Sequence, residues 1–286
     1  MPGKIWFVGA GPGDPDLITV KGRKLLEQAG AILFAGSLVD QAATLHAPPG
    51  CEIRDSKDMT LEAMTDWLIA AAARNATVVR LQTEEMVDWL RDQASRHETV
   101  IRLQTGDPGL YGALIEMTRP LTAAGVEWAV VPGVSSAMAS MAAAGESLTL
   151  PEVTQTVILT RTAGRTPMPE GEDLEALASH HCTLCIYLSI TLLHEVQKAL
   201  RAAGWREDAP ILVVQKASWP GQEKIVRGTL ADIKQKCQAE KIGSQAMIVA
   251  SPTLGAADWE SLVRSKLYDP TFTHRFRKAT ETIAHD

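Results

Sequence analysis

Along most of the chain, short apolar runs alternate with stretches in which apolar residues recur every three or four positions. The short runs, bounded by Gly and Pro, suit strands, and the longer spacing suits amphipathic helices. Regular alternation of the two predicts an α/β protein whose strands lie largely parallel. In the first half, Ile5–Gly9, Ala31–Phe34, Cys51–Arg54, Val100–Gln104 and Trp128–Val131 read as strands. Val20–Gln28 reads as a helix with Leu25 and Leu26 turned inward, and Ala137–Ala144 as a helix of small residues that lets backbone or ligand approach closely. Pro132-Gly133 stops the fifth strand, which divides the chain into an N-terminal α/β domain (1–131), a C-terminal α/β domain (132–255) and a tail (256–286). In the second half the alternation is less regular. Thr156–Thr160, Thr183–Leu188, Ile211–Gln215, Lys224–Arg227 and Ala246–Ala250 read as strands, Leu192–Ala203 and Leu230–Gln238 as helices, and Ala163–Asp173 as a surface loop, so a mixed sheet is expected there.

Residues 61–82 and 83–104 align without a gap, pairing Glu62 with Glu84, Met64 with Met86, Trp67 with Trp89, Arg74 with Arg96 and Gln82 with Gln104. This is a tandem duplication of a helix-strand unit. Solenoids need three or more copies to bury a continuous core, and two occur here, so a solenoid is rejected. The second copy runs directly into Thr105-Gly106-Asp107, which assigns 83–104 to the helix-strand slot before that loop and leaves 61–82 either displaced or as an added peripheral unit.

Composition narrows the classes further. No apolar stretch is long enough to span a membrane, and Met1-Pro2-Gly3-Lys4 runs straight into a strand, leaving no room for a signal peptide, so a cytoplasmic protein is expected. Four scattered cysteines do not make a disulfide framework, and Cys182-x-x-Cys185 lacks a second pair to complete a zinc site; buried strand cysteines are the simpler account. No metal site is expected, and His180, His181 and His194 read as surface residues. A net charge of −6 argues against nucleic-acid binding, which needs a basic surface.

Two glycine motifs carry the candidate chemistry. Val8-Gly9-Ala10-Gly11-Pro12-Gly13-Asp14-Pro15 follows the first strand, but Asp14 stands where the dinucleotide fingerprint needs its third glycine, which counts against a nicotinamide enzyme. Gly106-Asp107-Pro108 sits at the carboxyl end of a strand, where open α/β sheets bind ligands. Asp107 can accept from a ligand amine or hydroxyl, or can simply close a local turn; the sequence leaves both open.

Taken together, Val8–Val20, Val100–Glu116, Val131–Ala137, Pro210–Leu230 and Gln245–Gly255 resemble the tetrapyrrole methyltransferase family, also called class III S-adenosylmethionine-dependent methyltransferases. The resemblance implies S-adenosyl-L-methionine as methyl donor, held in a trough between two α/β domains. Carried over position by position, it implies cofactor contacts at Pro12, Thr105, Gly106, Asp107, Ser135, Ser136, Leu188, Ala217 and Met247. Uroporphyrinogen enzymes of the family carry an aspartate after the second strand; here the segment reads Phe34-Ala35-Gly36-Ser37-Leu38-Val39, without the acid. That run, with Asp55-Ser56, Arg161–Pro167 and the tail segments Leu267–Pro270 and His274–Arg277, is similar to the branch that methylates precorrin-4 at carbon 11, although Phe34, Lys57-Asp58 and the duplicated unit depart from its pattern.

The implied substrate bears several carboxylates, which makes Arg161 and Arg165 candidate substrate ligands, or else solvated loop charges. Asp14 and Ser37 are candidate substrate-side groups, with turn formation as the alternative. No nucleophile elbow or Cys-His pair is present, which suits a reaction whose nucleophile is the substrate's own carbon. Methylation at another ring carbon, and a cofactor-binding protein inactivated by the duplication, stay open at this point. A homodimer is expected from the prevalence of that form.

Overall fold

The computed structural model describes residues 4–34, 36, 41–55, 99–123, 125–261, 265, 270–273 and 275–279. Ser37, residues 61–82, residues 83–98 of the second repeat copy, and tail residues 266–269 and 274 therefore lie outside the described residues. The chain divides into two compact units: Met1–Ser140 with Lys216–Lys224, and Met141–Gln215 with Ile225–Asp286.

The first unit is built on five strands: β1 (Lys4–Gly9), β2 (Ala31–Phe34), β3 (Glu52–Asp55), β4 (Thr99–Gln104) and β5 (Trp128–Val131). They pair in the order β3-β2-β4-β1-β5, and every pairing is parallel. The strand of the second repeat copy, β4, lies at the centre of this sheet. Residues that alternate along a strand face opposite sides, so Val8, Ile32, Phe34, Ile101, Leu103 and Val131 form one buried face, joined by Leu26 of α1 (Val20–Leu26). Ile5 and Phe7, equally buried, belong to the other face, where the Phe7 and Trp128 rings stand nearly perpendicular with their centroids 6.5 Å apart. Helix α1 starts where Thr19 Oγ1 accepts from the Gly22 N–H at 3.1 Å, and a Cβ on Gly22 would stand 2.9 Å from Val8. The remaining described helices of this part are α2 (Leu114–Ala123) and α3 (Ser136–Ala144), and the division between units falls inside α3.

The second unit carries β6 (Val157–Arg161), β7 (Thr183–Tyr187), β8 (Pro210–Gln215), β9 (Lys224–Thr229) and β10 (Ala246–Ala250), in the order β6-β7-β10-β8-β9. β6 runs parallel to β7 while β10 runs antiparallel to both β7 and β8, which makes the sheet mixed. The described helices here are α4 (Leu174–Ala178), α5 (Leu193–Ala202) and α6 (Ile233–Ala239). Along α5 the buried positions are Leu193, Val196, Gln197 and Leu200, one helical stripe, and the amide of Gln197 is satisfied by the Leu230 carbonyl at 2.6 Å. Helix α6 begins at Ile233, later than the pattern suggests, because the Thr229 N–H donates to Asp232 Oδ1 at 2.7 Å and closes a turn first.

All four cysteines are free thiols, with Cys182, Cys185 and Cys237 buried. Burial pushes the Cys185 thiol up to about 12, so it stays protonated at neutral pH and behaves as a small apolar core residue.

Candidate functional site

Parallel strands end on the same side of a sheet, so the segments leaving β1, β4 and β5 emerge together. In most sheets they diverge; here they are laced to one another. The Ala10 N–H donates to the Gln104 carbonyl at 2.6 Å and the Gly106 N–H to the Gly11 carbonyl at 2.9 Å, a short antiparallel bridge beyond the parallel ladder. Three glycines make the approach possible. A Cβ on Gly9 would stand 2.5 Å from both the Gly106 oxygen and the Gly133 Cα, and a Cβ on Gly133 would overlap the Gly106 oxygen. Gly11 and Gly106 also need left-handed backbone, with φ of 74° and 62°.

Asp107 fixes the arrangement from its side chain. One carboxylate oxygen accepts from the Gly109 N–H at 2.8 Å, closing an Asx turn, and the other accepts from the Gly133 N–H at 2.9 Å. The carboxylate therefore joins the loop after β4 to the loop after β5. Beyond it the chain stays tight: Tyr111 and Ala113 both hold left-handed backbone, with φ of 55° and 50°, and Gln104 Nε2 donates to the Gly112 carbonyl at 2.6 Å.

Around this brace the structure gathers most of the positions expected from sequence. A Cβ on Gly106 would stand 3.5 Å from the Ser135 Cα and 3.8 Å from the Ser136 nitrogen, which opens α3. Thr105 Oγ1 is buried without a hydrogen-bond partner among the described residues. A buried hydroxyl left unpaired is costly, and a ligand with polar groups would satisfy it. Pro12 is buried in the same unit, and Ala217, 6% exposed, lies in the segment that groups with it. Leu188 and Met247 belong to the second unit: Leu188 directly follows β7, 64% exposed and left-handed at φ 53°, while Met247 is buried in β10. Asp14 accepts from the Asp16 N–H at 2.8 Å and so forms the turn that the sequence offered as its alternative.

Two residues acquire a place that the sequence alone did not suggest. Asp55, the last residue of β3, is registered beside Phe34 and accepts from the Gly36 N–H at 2.7 Å; a Cβ on Gly36 would run into its carboxylate. The neighbouring strand thus brings an acid to the end of β2, where the chain itself has none. The only earlier sign was the Asp55-Ser56 marker. Arg102, in β4, is buried and donates to the Leu103 carbonyl at 3.2 Å, and desolvation pushes its guanidinium down to about 10, which leaves it a cation at neutral pH.

In the second unit, Arg161 organises its own loop. Its guanidinium donates to the carbonyls of Thr162 at 3.4 Å, Thr166 at 3.2 Å and Pro167 at 2.7 Å, while the Thr162 N–H donates to Ser189 Oγ at 3.0 Å. Arg165 stands exposed within that loop.

Comparison with known proteins places this arrangement. The model of the Tetrapyrrole (Corrin/Porphyrin) Methylases matches residues 4–234. A cobalt-precorrin-4 C(11)-methyltransferase of Priestia megaterium is 46% identical over 279 residues, 98% of this chain and 99% of the relative. The crystal structure of a cobalamin biosynthetic enzyme, cobalt precorrin-4 methyltransferase, superposes with a TM-score of 0.76 at 46% identity, covering 87% of this chain and 94% of the other. A uroporphyrin-III C-methyltransferase of Thermus thermophilus, solved with S-adenyl homocysteine, superposes with a TM-score of 0.64 at 27% identity, covering 91% and 98%. With the family's model matched over most of its length, the chain belongs to the tetrapyrrole methylases.

Proposed function

We infer that this chain transfers a methyl group from S-adenosyl-L-methionine to carbon 11 of precorrin-4, giving precorrin-5 on the route to the corrin ring. The observation that carries this reading is the likeness to the Priestia megaterium enzyme, 46% identical with both chains covered almost end to end. The substrate ring is taken free or as the cobalt complex named for that relative.

When bound, the cofactor would supply a methyl group on a sulfonium, which an electron-rich ring carbon takes in line as the neutral thioether, S-adenosylhomocysteine, leaves. The chain's own contribution is placement. Thr105, Gly106, Asp107, Ser135 and Ser136, with Pro12 and Ala217, are the proposed cofactor contacts of the first unit, and the unpaired Thr105 hydroxyl supports a polar ligand there. Because the loops are locked before the ligand arrives, little ordering entropy is lost on binding, and alignment of two reactants can be worth roughly 7–11 kcal/mol of barrier in favourable cases. Asp14 and Ser37 remain the proposed substrate-side groups, and Arg165 the proposed carboxylate ligand, with Arg161 holding the loop that presents it. The protein is proposed to act as a cytoplasmic homodimer; its four free thiols suit a reducing compartment, and its net charge of −6 suits a small-molecule substrate over nucleic acid.

Anaerobic incubation with S-adenosylmethionine and precorrin-4, metal-free in one arm and cobalt-loaded in the other, is expected to yield a singly methylated product together with adenosylhomocysteine, read by mass spectrometry. Cofactor binding without product in either arm would show a non-catalytic protein, and a methyl group mapped to another ring carbon would move the chain to a different step.

The arginine loop has its own test. Arg161→Lys keeps the charge but cannot span three carbonyls, so KM for the macrocycle should rise about tenfold while KM for the cofactor stays put. Steady-state kinetics with each substrate varied in turn would decide, and equal increases in both constants would remove the loop from substrate binding.

A further inference from the structure

The segment between β8 and β9, together with the first residue of β9 (Lys216–Lys224), groups with the first unit, and Trp219 anchors it there. The indole N–H donates to the Pro12 carbonyl at 2.8 Å in a buried setting. The indole ring fills the space beside Gly13 so closely that a Cβ on that glycine would overlap it. Next to it, the Asp14 N–H donates to Ser218 Oγ at 3.2 Å, and the Ser218 N–H donates to Glu223 Oε2 at 2.5 Å. The Lys216 ammonium lies 4.9 Å from the indole centroid and donates to Gln222 Oε1 at 2.6 Å.

Lys216 and Ser218 flank Ala217 with left-handed backbone, φ 50° and 67°, a conformation that side-chain-bearing residues keep only where their surroundings over-determine it. Two consecutive carbonyls of the first glycine turn are each held by a distant partner. Gly11 is held by the Gly106 N–H of the second loop, and Pro12 by Trp219. Neither partner is near the turn in sequence, and neither motif accounts for the indole.

We propose that Trp219 is a cofactor-positioning residue, which locks Pro12 and Ala217 into one rigid piece and so sets the affinity for S-adenosylmethionine by acting through those two contacts. The proposal rests on the methyltransferase reading of this site. If the ring mattered only as core filling, Phe would replace it at the cost of stability alone. If the N–H to Pro12 matters, Phe loses the positioning while keeping most of the volume.

The full-length protein with Trp219→Phe, and separately with Gly13→Ala, would be titrated with S-adenosylhomocysteine by calorimetry, assayed with S-adenosylmethionine varied, and melted. Trp219→Phe is expected to weaken adenosylhomocysteine about tenfold and raise KM for S-adenosylmethionine by the same factor, with kcat at saturation within about twofold of wild type. Gly13→Ala keeps the N–H but pushes the indole off Pro12, and should give the same loss. It also keeps the question open to test should the Phe variant fold poorly. Affinities within about twofold of wild type in folded variants, whatever their melting temperatures, would overturn the proposal. Wild-type protein that binds no adenosylhomocysteine would instead sink the reading of the site, and the positioning role with it.

Discussion

Gly133→Ala should abolish adenosylhomocysteine binding and destabilise the protein by roughly 3 kcal/mol, the upper range for overpacking a site that cannot yield. The added methyl meets the Gly106 oxygen, with the Gly9 Cα at 2.7 Å and the Gly106 carbonyl carbon at 3.0 Å. All of these are backbone atoms at strand ends, so no side chain can swing aside. Relief requires separating the loops after β1, β4 and β5, which is the arrangement that the proposed cofactor contacts depend on. Gly243→Ala is the control, since a Cβ there meets nothing within 4 Å. Urea denaturation and calorimetry on both variants would test this. Wild-type affinity in Gly133→Ala would mean that the three-glycine junction does not shape the binding site.

Asp107→Asn is expected to cost about tenfold to a hundredfold in adenosylhomocysteine affinity. The carboxylate accepts two backbone N–H groups, one per oxygen, from Gly109 and Gly133. An amide keeps one acceptor and turns the other position into a donor facing an N–H, so one charge-assisted bond is lost outright; such bonds are worth about 1.5–3 kcal/mol. If the amide retains the Gly109 turn, the link to Gly133 breaks and the loop after β5 drifts; if it retains Gly133, the turn loosens. Either outcome misplaces Ser135 and Ser136 relative to Gly106. The sign would be contradicted by an Asn variant that binds as tightly as wild type, which would leave Asp107 as a local turn residue.

Much of this architecture is legible in the residues. The described strands fall at the segments read from sequence: inner strands such as β7 and β10 are continuously apolar because both faces are buried, while the edge strands β3 and β9 carry charged residues and are partly exposed. The less regular second half correctly points to a mixed sheet. Two helices escape such a reading for identifiable reasons. Leu114–Ala123 carries Pro120, which has no N–H to donate and so looks like a breaker. Leu174–Ala178 is only five residues long, too short to show a period, and is started by Asp173 Oδ1 accepting from the Ala176 N–H at 2.9 Å.

The candidate site divides in the same way. The Gly-Pro-Gly, Gly-Asp-Pro and Pro-Gly motifs mark its tight loops, since left-handed turns and close backbone approach leave few residue choices, while the proposed cofactor contacts rest on the family resemblance. The partnerships between the loops are not legible. That Asp107 braces Gly133, that Asp55 stands beside Gly36, that Arg161 encircles its own loop and that Trp219 holds Pro12 all depend on neighbours chosen by tertiary structure.

The element types, the α/β class and the two glycine-rich loops are written in local patterns, because periodicity and turn chemistry act over a few residues at a time, and five ordered segments carry the resemblance to the family. Which loop touches which is settled only when the chain folds. The strand order β3-β2-β4-β1-β5 brings together strand ends far apart in sequence, and no local pattern encodes a hydrogen bond between residues 207 positions apart such as Trp219 and Pro12.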